Sequence, residues 1–160
     1  MTPPRPKILI IDDTPANLQL LVAQLTVDFD LQIATSGALG LAYARQSTPD
    51  LILLDVMMPE MDGFEVCQRL NADAQLSPIS VIFLTVLGDS ESERVGLALG
   101  AADYITKPIN VDIARLRIGN LLERDQLRKE LEGHRDLWFD REVVDALLRL
   151  VRDRGYQLPD

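Results

Sequence analysis

The stretch Lys7-Ile8-Leu9-Ile10-Ile11-Asp12-Asp13 decides the fold. Successive residues of a strand point to opposite faces, so Ile8 to Ile11 make a strand apolar on both sides. Such a strand belongs in the middle of a parallel sheet with helices above and below it. Here it ends abruptly on two aspartates. Working outward, the same pattern returns four times. Leu31–Ala34 is a second short strand, and Asp50–Leu54 is a third, ending at Asp55. Ile79–Leu84 is a fourth, ending at Thr85, and Ala102–Ile105 is a fifth, ending at Thr106-Lys107-Pro108.

Helical patterns fill the gaps. Leu18, Leu21, Val22 and Leu25 follow the i, i+3, i+4, i+7 spacing, with Thr14 expected as N-cap and Pro15 in the first turn. Leu39, Ala42 and Tyr43 mark a second helix after Gly37. Phe64, Cys67 and Leu70 mark a third, opened by Asp62-Gly63. A fourth carries Val95, Ala98 and Leu99. Its start is acidic (Asp89, Glu91, Glu93), which the helix dipole favours, and Gly100 stops it. A fifth runs from about Val111. Five strands alternating with helices imply right-handed βαβ units and a parallel sheet.

Composition removes several function classes. The chain has 160 residues, 16 Lys+Arg against 25 Asp+Glu, and a formal net charge of −9. That balance argues against binding nucleic acid through phosphate neutralisation and against anchoring to an anionic membrane. Cys67 is the single cysteine and His134 the single histidine. A disulfide framework, a Cys/His metal cluster and a Ser-His-Asp hydrolase therefore find no support. No signal-type apolar run opens the chain and no 18-residue apolar stretch occurs, which points to a cytoplasmic protein.

The chemistry is expected at one edge. In an open α/β sheet, ligands bind outside the carboxyl ends of the strands. Asp12, Asp13, Asp55, Thr85 and Lys107 all stand there. Three neighbouring carboxylates repel one another, and a hard divalent cation relieves the repulsion. Mg²⁺ suits such oxygen ligands, and with Lys107 beside it the site becomes a trap for a phosphoryl group. An aspartate of the trio is then a candidate nucleophile, since carboxylates form acyl phosphates in some phosphoryl-transfer proteins. The pattern alone does not choose among Asp12, Asp13 and Asp55. Each residue taken singly is better read as a helix cap or a solvated turn. The coherent set of five is not. No glycine-rich phosphate loop follows the first strand, so nucleotide binding has no support.

With these residues in view, the chain resembles the receiver domain of bacterial two-component response regulators. The resemblance rests on four strings in order. They are Ile8-Leu9-Ile10-Ile11-Asp12-Asp13, then Leu51-Ile52-Leu53-Leu54-Asp55-Val56-Met57-Met58-Pro59 through Gly63, then Ile82-Phe83-Leu84-Thr85, and Gly100 to Pro108 with Asp103, Tyr104 and Lys107. It covers about Lys7 to Leu122. The implied fold is a flavodoxin-like (βα)₅ doubly wound sheet of order 2-1-3-4-5 with a C-terminal helical extension. The implied domains are 1–122, the receiver, and 123–160, the extension.

The resemblance also implies roles. Asp55 would take phosphate from a histidine kinase or phosphotransfer protein. Asp13, Asp55 and the backbone carbonyl of Met57 would ligate Mg²⁺, with Asp12 acting through water. Thr85 would bond the phosphoryl group and move inward, Tyr104 would turn in with it, and Lys107, before a cis bond to Pro108, would pair with it. The face of the fourth helix, fifth strand and fifth helix would carry the signal to an output domain or a homodimer. Val86 stands where the family often has alanine. Met57 and Leu87, both apolar, cannot orient an attacking water, so slow loss of phosphate is expected.

The tail from residue 120 holds eight basic and ten acidic residues, so it is no basic arm. Leu127, Leu131, His134 and Trp138 recur at 4, 3, 4 spacing, compatible with a coiled-coil stalk or with a helix folding back. A last helix is expected from Asp140 through Val144, Leu147, Leu148 and Val151 to Gly155. Two competing readings stand against the switch. A Mg²⁺-dependent aspartyl-phosphate phosphohydrolase needs a carboxylate two residues after its nucleophile, where this chain has Met57, and a substrate cap that it lacks. An adaptor that is never phosphorylated leaves the full acidic set without a purpose.

Overall fold

The computed structural model describes residues 4–86, 88–133 and 141–154. Five strands form one parallel sheet: β1 (Lys7–Ile11), β2 (Asp30–Ala34), β3 (Leu51–Asp55), β4 (Ser80–Val86) and β5 (Asp103–Lys107). Their order is β2-β1-β3-β4-β5, the doubly wound flavodoxin-like order. Between them run α1 (Pro15–Leu25), α2 (Gly37–Ser47), α3 (Gly63–Ala72) and α4 (Ser90–Ala98). Helix α5 (Val111–Gly133) follows β5, and α6 (Arg141–Arg154) is the C-terminal helix. The chain forms two compact units, Met1–Arg117 and Ile118–Asp160.

In the first unit, burial on both sheet faces explains the unbroken apolar runs. Leu9, Ile11, Ile52, Leu54 and Phe83 join the core that includes Ala34, Leu41, Val66, Cys67 and Leu70. Ile8, Ile10, Leu51, Leu53, Ile82 and Leu84, on alternate positions of the same strands, are no more than 1% exposed. Each such side chain contributes about 1.5–3 kcal/mol relative to exposure, so the central strands anchor the fold. Cys67 is a buried core thiol in this packing, and burial pushes its pKa up.

Two details of α1 differ from expectation. Thr14 occupies the N-cap position, but its side chain makes no capping bond. Its own N–H donates instead to Asp12 Oδ1 at 2.8 Å. Pro15 at the first position has no N–H, so one of the four unpaired donors of a helix start is absent. Leu21 and Leu25 are the buried residues of the expected stripe, whereas Val22 is 36% exposed. Helices α2, α3 and α4 have side-chain caps from Ser36, Asp62 and Asp89. The only residue that α4 buries is Gly96, whose missing Cβ would stand 2.7 Å from the Phe83 ring. Gly100, at φ 94°, ends that segment in a conformation that side chains resist.

In the second unit, Ile118, Leu121, Leu148 and Val151 are buried. His134, Trp138, Asp140 and Gly155 lie outside the described residues, as does Leu87. Among the described residues, no helix is long and apolar enough to cross a membrane.

Candidate functional site

The ends of β1, β3, β4 and β5 bring the expected residues together. Asp12 and Asp13 follow β1, Asp55 closes β3, Thr85 is the penultimate residue of β4, and Lys107 closes β5. Carboxylate oxygens of Asp12, Asp13 and Asp55 all lie within 4.8 Å of one another. Asp12 and Asp55 are buried at 0% and 1% exposure, and Asp13 stands open at the rim. Lys107 Nζ donates to Asp55 Oδ1 at 2.8 Å and lies 3.9 Å from Asp12 Oδ2. The Lys107–Pro108 peptide is cis.

Local bonds fix two of the carboxylates. Asp12 accepts from the Thr14 N–H through Oδ1 and from Asn17 Nδ2 through Oδ2 at 3.1 Å. Asp55 Oδ1 also accepts from the Met57 N–H at 3.2 Å. Burial lifts the Asp55 carboxyl from 3.8 to about 6. The Lys107 hydrogen bond pulls it down, and the negative charge of Asp12 pushes it up. One lysine against three carboxylates leaves the cluster short of positive charge. The donor set is all oxygen, and two of its members are held in place. These are properties that a small, hard divalent cation requires.

Thr85 is 1% exposed, and among the described residues its hydroxyl has no hydrogen-bond partner. Buried hydroxyls are seldom left so, because the lost solvation is costly. Register places Thr85 opposite Thr106 and Phe83 opposite Tyr104. Tyr104 therefore shares a sheet face with Thr85 one pair away. Its ring is half-buried against the core.

Met57 is 67% exposed and Val86 54%, so the mouth of the site carries apolar side chains.

Two contributors escaped the sequence reading, and a third, Gly63, was read there only as a turn residue. Asn17 reaches back to Asp12 from the first turn of α1. Gly63 lets α3 start against the end of β3: a Cβ there would meet the Asp55 carbonyl oxygen at 2.3 Å. Its N–H donates to the Val56 carbonyl at 2.9 Å. Arg117 lies over the Tyr104 ring at 5.7 Å. Gly63 was legible as a turn glycine. Nothing in spacing or composition announces Asn17 or Arg117.

Comparisons with known proteins agree with this geometry. The family model described as the response regulator receiver domain matches residues 8–118. The DNA-binding dual master transcriptional regulator RpaA of Synechocystis is 42% identical over 133 residues, 82% of this chain and 55% of that protein. Response regulator PleD of Caulobacter vibrioides is 43% identical over 136 residues, 81% of this chain and 30% of that protein. The chain thus spans about half or less of the length of these relatives. Among solved structures, the Francisella response regulator 1452 receiver domain superposes with a TM-score of 0.69 at 30% identity, covering 75% of this chain and 98% of that one. The chemotaxis protein CheY4 of Vibrio cholerae gives 0.68 at 28% identity, covering 72% and 97%. Sheet order, acidic rim and matched sequence lead to one conclusion: this chain belongs to the response regulator receiver family, whose domains serve two-component signalling.

Proposed function

We propose that Asp55 is the phosphoacceptor of this receiver and that the site works with Mg²⁺. The observation that carries the reading is the convergence on Asp55 of a lysine ammonium at 2.8 Å and two further carboxylates within 4.8 Å. Asp13, Asp55 and the Met57 carbonyl would hold the ion, with Asp12 acting through water. When bound, Mg²⁺ supplies positive charge that relieves the carboxylate repulsion and steadies the oxygens of the incoming phosphoryl group.

The chain's own residues do the rest. An ionised Asp55 oxygen attacks phosphorus. The P–N bond of a donor phosphohistidine breaks, its electron pair stays on the imidazole, and an acyl phosphate forms on Asp55. Lys107 exchanges part of its bond with Asp55 for a phosphoryl oxygen. Thr85 donates its unpartnered hydroxyl to another, which draws it toward the phosphate. Tyr104, on the same sheet face, follows into the space released. The face made by α4, β5 and α5 then changes, which is how a local charge becomes a signal. The donor would be a histidine kinase or phosphotransfer protein. The readers would be an output domain or a second copy of the chain, through this face or through residues 123–160. A cytoplasmic location follows from the same reading.

Incubation with acetyl phosphate and Mg²⁺, followed by intact-mass spectrometry, tests the assignment. One added phosphoryl group is expected, absent without Mg²⁺ and absent from Asp55→Ala. No adduct on the wild-type chain, or an undiminished adduct on the variant, overturns it.

A further inference from the structure

Arg117 makes three contacts on one residue's surroundings. Its guanidinium carbon lies 5.7 Å from the centre of the Tyr104 ring. Its Nη1 donates to the Tyr104 backbone carbonyl and lies 3.4 Å from Asp103 Oδ1. Asp103 Oδ1 in turn accepts the Tyr104 N–H at 2.8 Å. Ring face, backbone carbonyl and backbone N–H of Tyr104 are thus tied, directly or through Asp103, to one side chain of α5. Tyr104 and Arg117 both line a cavity of about 90 Å³, with Thr106 and Ile113 among its other walls. Close packing is incomplete around these two residues, so the ring is held by the guanidinium contact more than by neighbours.

These observations rest against the unpartnered Thr85 hydroxyl on the same sheet face. A ring that turned further in would give up the Arg117 cation–π contact, because the guanidinium is fixed by its bonds to the Tyr104 carbonyl and Asp103. We propose that Arg117 is a positioning residue that holds Tyr104 in its half-buried state and so sets how readily this receiver switches. The inference builds on the reading of Tyr104 as the aromatic that moves with Thr85, and it adds the group that opposes the movement. Arg117 touches neither Asp55 nor its partners, so it acts on the equilibrium between states and not on the chemistry at phosphorus. A ligand shifts such an equilibrium only by its differential affinity. A contact confined to the resting state therefore lowers the apparent affinity for any phosphoryl group that favours the other state.

The test uses the full chain labelled with 3-fluorotyrosine, the Tyr104 signal being assigned with Tyr104→Phe. Beryllofluoride with Mg²⁺ serves as the phosphoryl mimic. Two quantities are read: the position of the free-state Tyr104 fluorine signal, and the dissociation constant for beryllofluoride. In Arg117→Ala the free-state signal moves toward its bound position, and beryllofluoride binds about two- to fivefold more tightly, the effect of losing one half-exposed cation–π contact. Arg117→Lys keeps the charge without the planar fork and falls between the two. Should the alanine variant not fold, the lysine variant carries the same prediction. Unchanged signal and affinity, or weaker binding, overturn the latch. Wild-type protein that binds beryllofluoride and shifts its Tyr104 signal, beside an Arg117→Ala variant that behaves identically, defeats the latch alone. Wild-type protein that binds no beryllofluoride defeats the phosphoacceptor reading beneath it.

Discussion

Replacing Asp55 by asparagine is expected to stabilise the metal-free protein at neutral pH. In the folded chain this carboxyl is 1% exposed, and burial lifts its pKa from 3.8 to about 6. Lys107 opposes the lift and Asp12 adds to it. The unfolded chain releases the same proton near 3.8. Below that pH both states are protonated and the group contributes nothing. Between 3.8 and about 6 the unfolded state ionises first, so stability falls as pH rises. Above about 6 the penalty is complete. At about 1.36 kcal/mol per pH unit it amounts to roughly 3 kcal/mol. Asparagine carries no charge, and its oxygen still accepts from the Met57 N–H and Lys107. For a chain of this size the gain corresponds to about 6–12 °C in Tm. Thermal unfolding of both proteins in EDTA, followed by circular dichroism at about pH 4 and about pH 7.5, measures it. Millimolar Mg²⁺ narrows the gap at the higher pH, because an ion held by the native carboxylates stabilises the wild type. A variant no more stable than wild type at about pH 7.5, or a gain of equal size at both pH values, refutes the reasoning.

Gly63→Ala is expected to destabilise by about 1–3 kcal/mol in urea unfolding, because its Cβ meets backbone at Asp55 and Val56 that cannot swing aside; it also lowers acetyl phosphate labelling. An alanine variant labelled as fast as wild type shows that the α3 start does not place Asp55. Polar residues substituted together at Met57, which is 67% exposed beside the site, and at Leu87 are expected to speed loss of phosphate from Asp55. Equal decay in a mass-spectrometric time course contradicts the idea that apolar side chains there keep water unoriented. Gly96→Ala pushes α4 off the Phe83 ring and is expected to raise amide exchange in Ser90–Ala98 selectively. Uniform change across the sheet contradicts that local account.

Much of this architecture was legible because burial on both sheet faces writes itself into the chain as uninterrupted apolar runs. Ile8–Ile11 and Leu51–Leu54 are unmistakable for that reason, and the residue that ends each run falls at the sheet's carboxyl edge. Thr85 and Lys107 could be placed in the same way, from strand order alone. What escaped depends on distances that no local pattern encodes. Asn17 finds Asp12 because α1 leaves the sheet at a particular angle. Arg117 finds Tyr104 across 13 residues because the chain turns back between the end of β5 and the start of α5. Thr14 shows the same limit: its type places it at the N-cap, where it stands, but not the capping bond, which its side chain does not make.

Helix α4 buries no apolar side chain fully: Val95 is half-buried, and Gly96 alone is buried along its nine residues. Its attachment is therefore weak on the scale of the central strands, and displacing it sacrifices little hydrophobic burial. A receiver with a tightly stapled α4 would spend most of the energy of phosphate binding on prying that helix loose. Under the proposed switch, the shallow seating of α4 would leave more of that energy for whatever reads the surface. The same shallow seating frees the outward positions of Ser90–Ala98 from the demands of folding, so they can be tuned to a particular reader while the sheet beneath stays as it is.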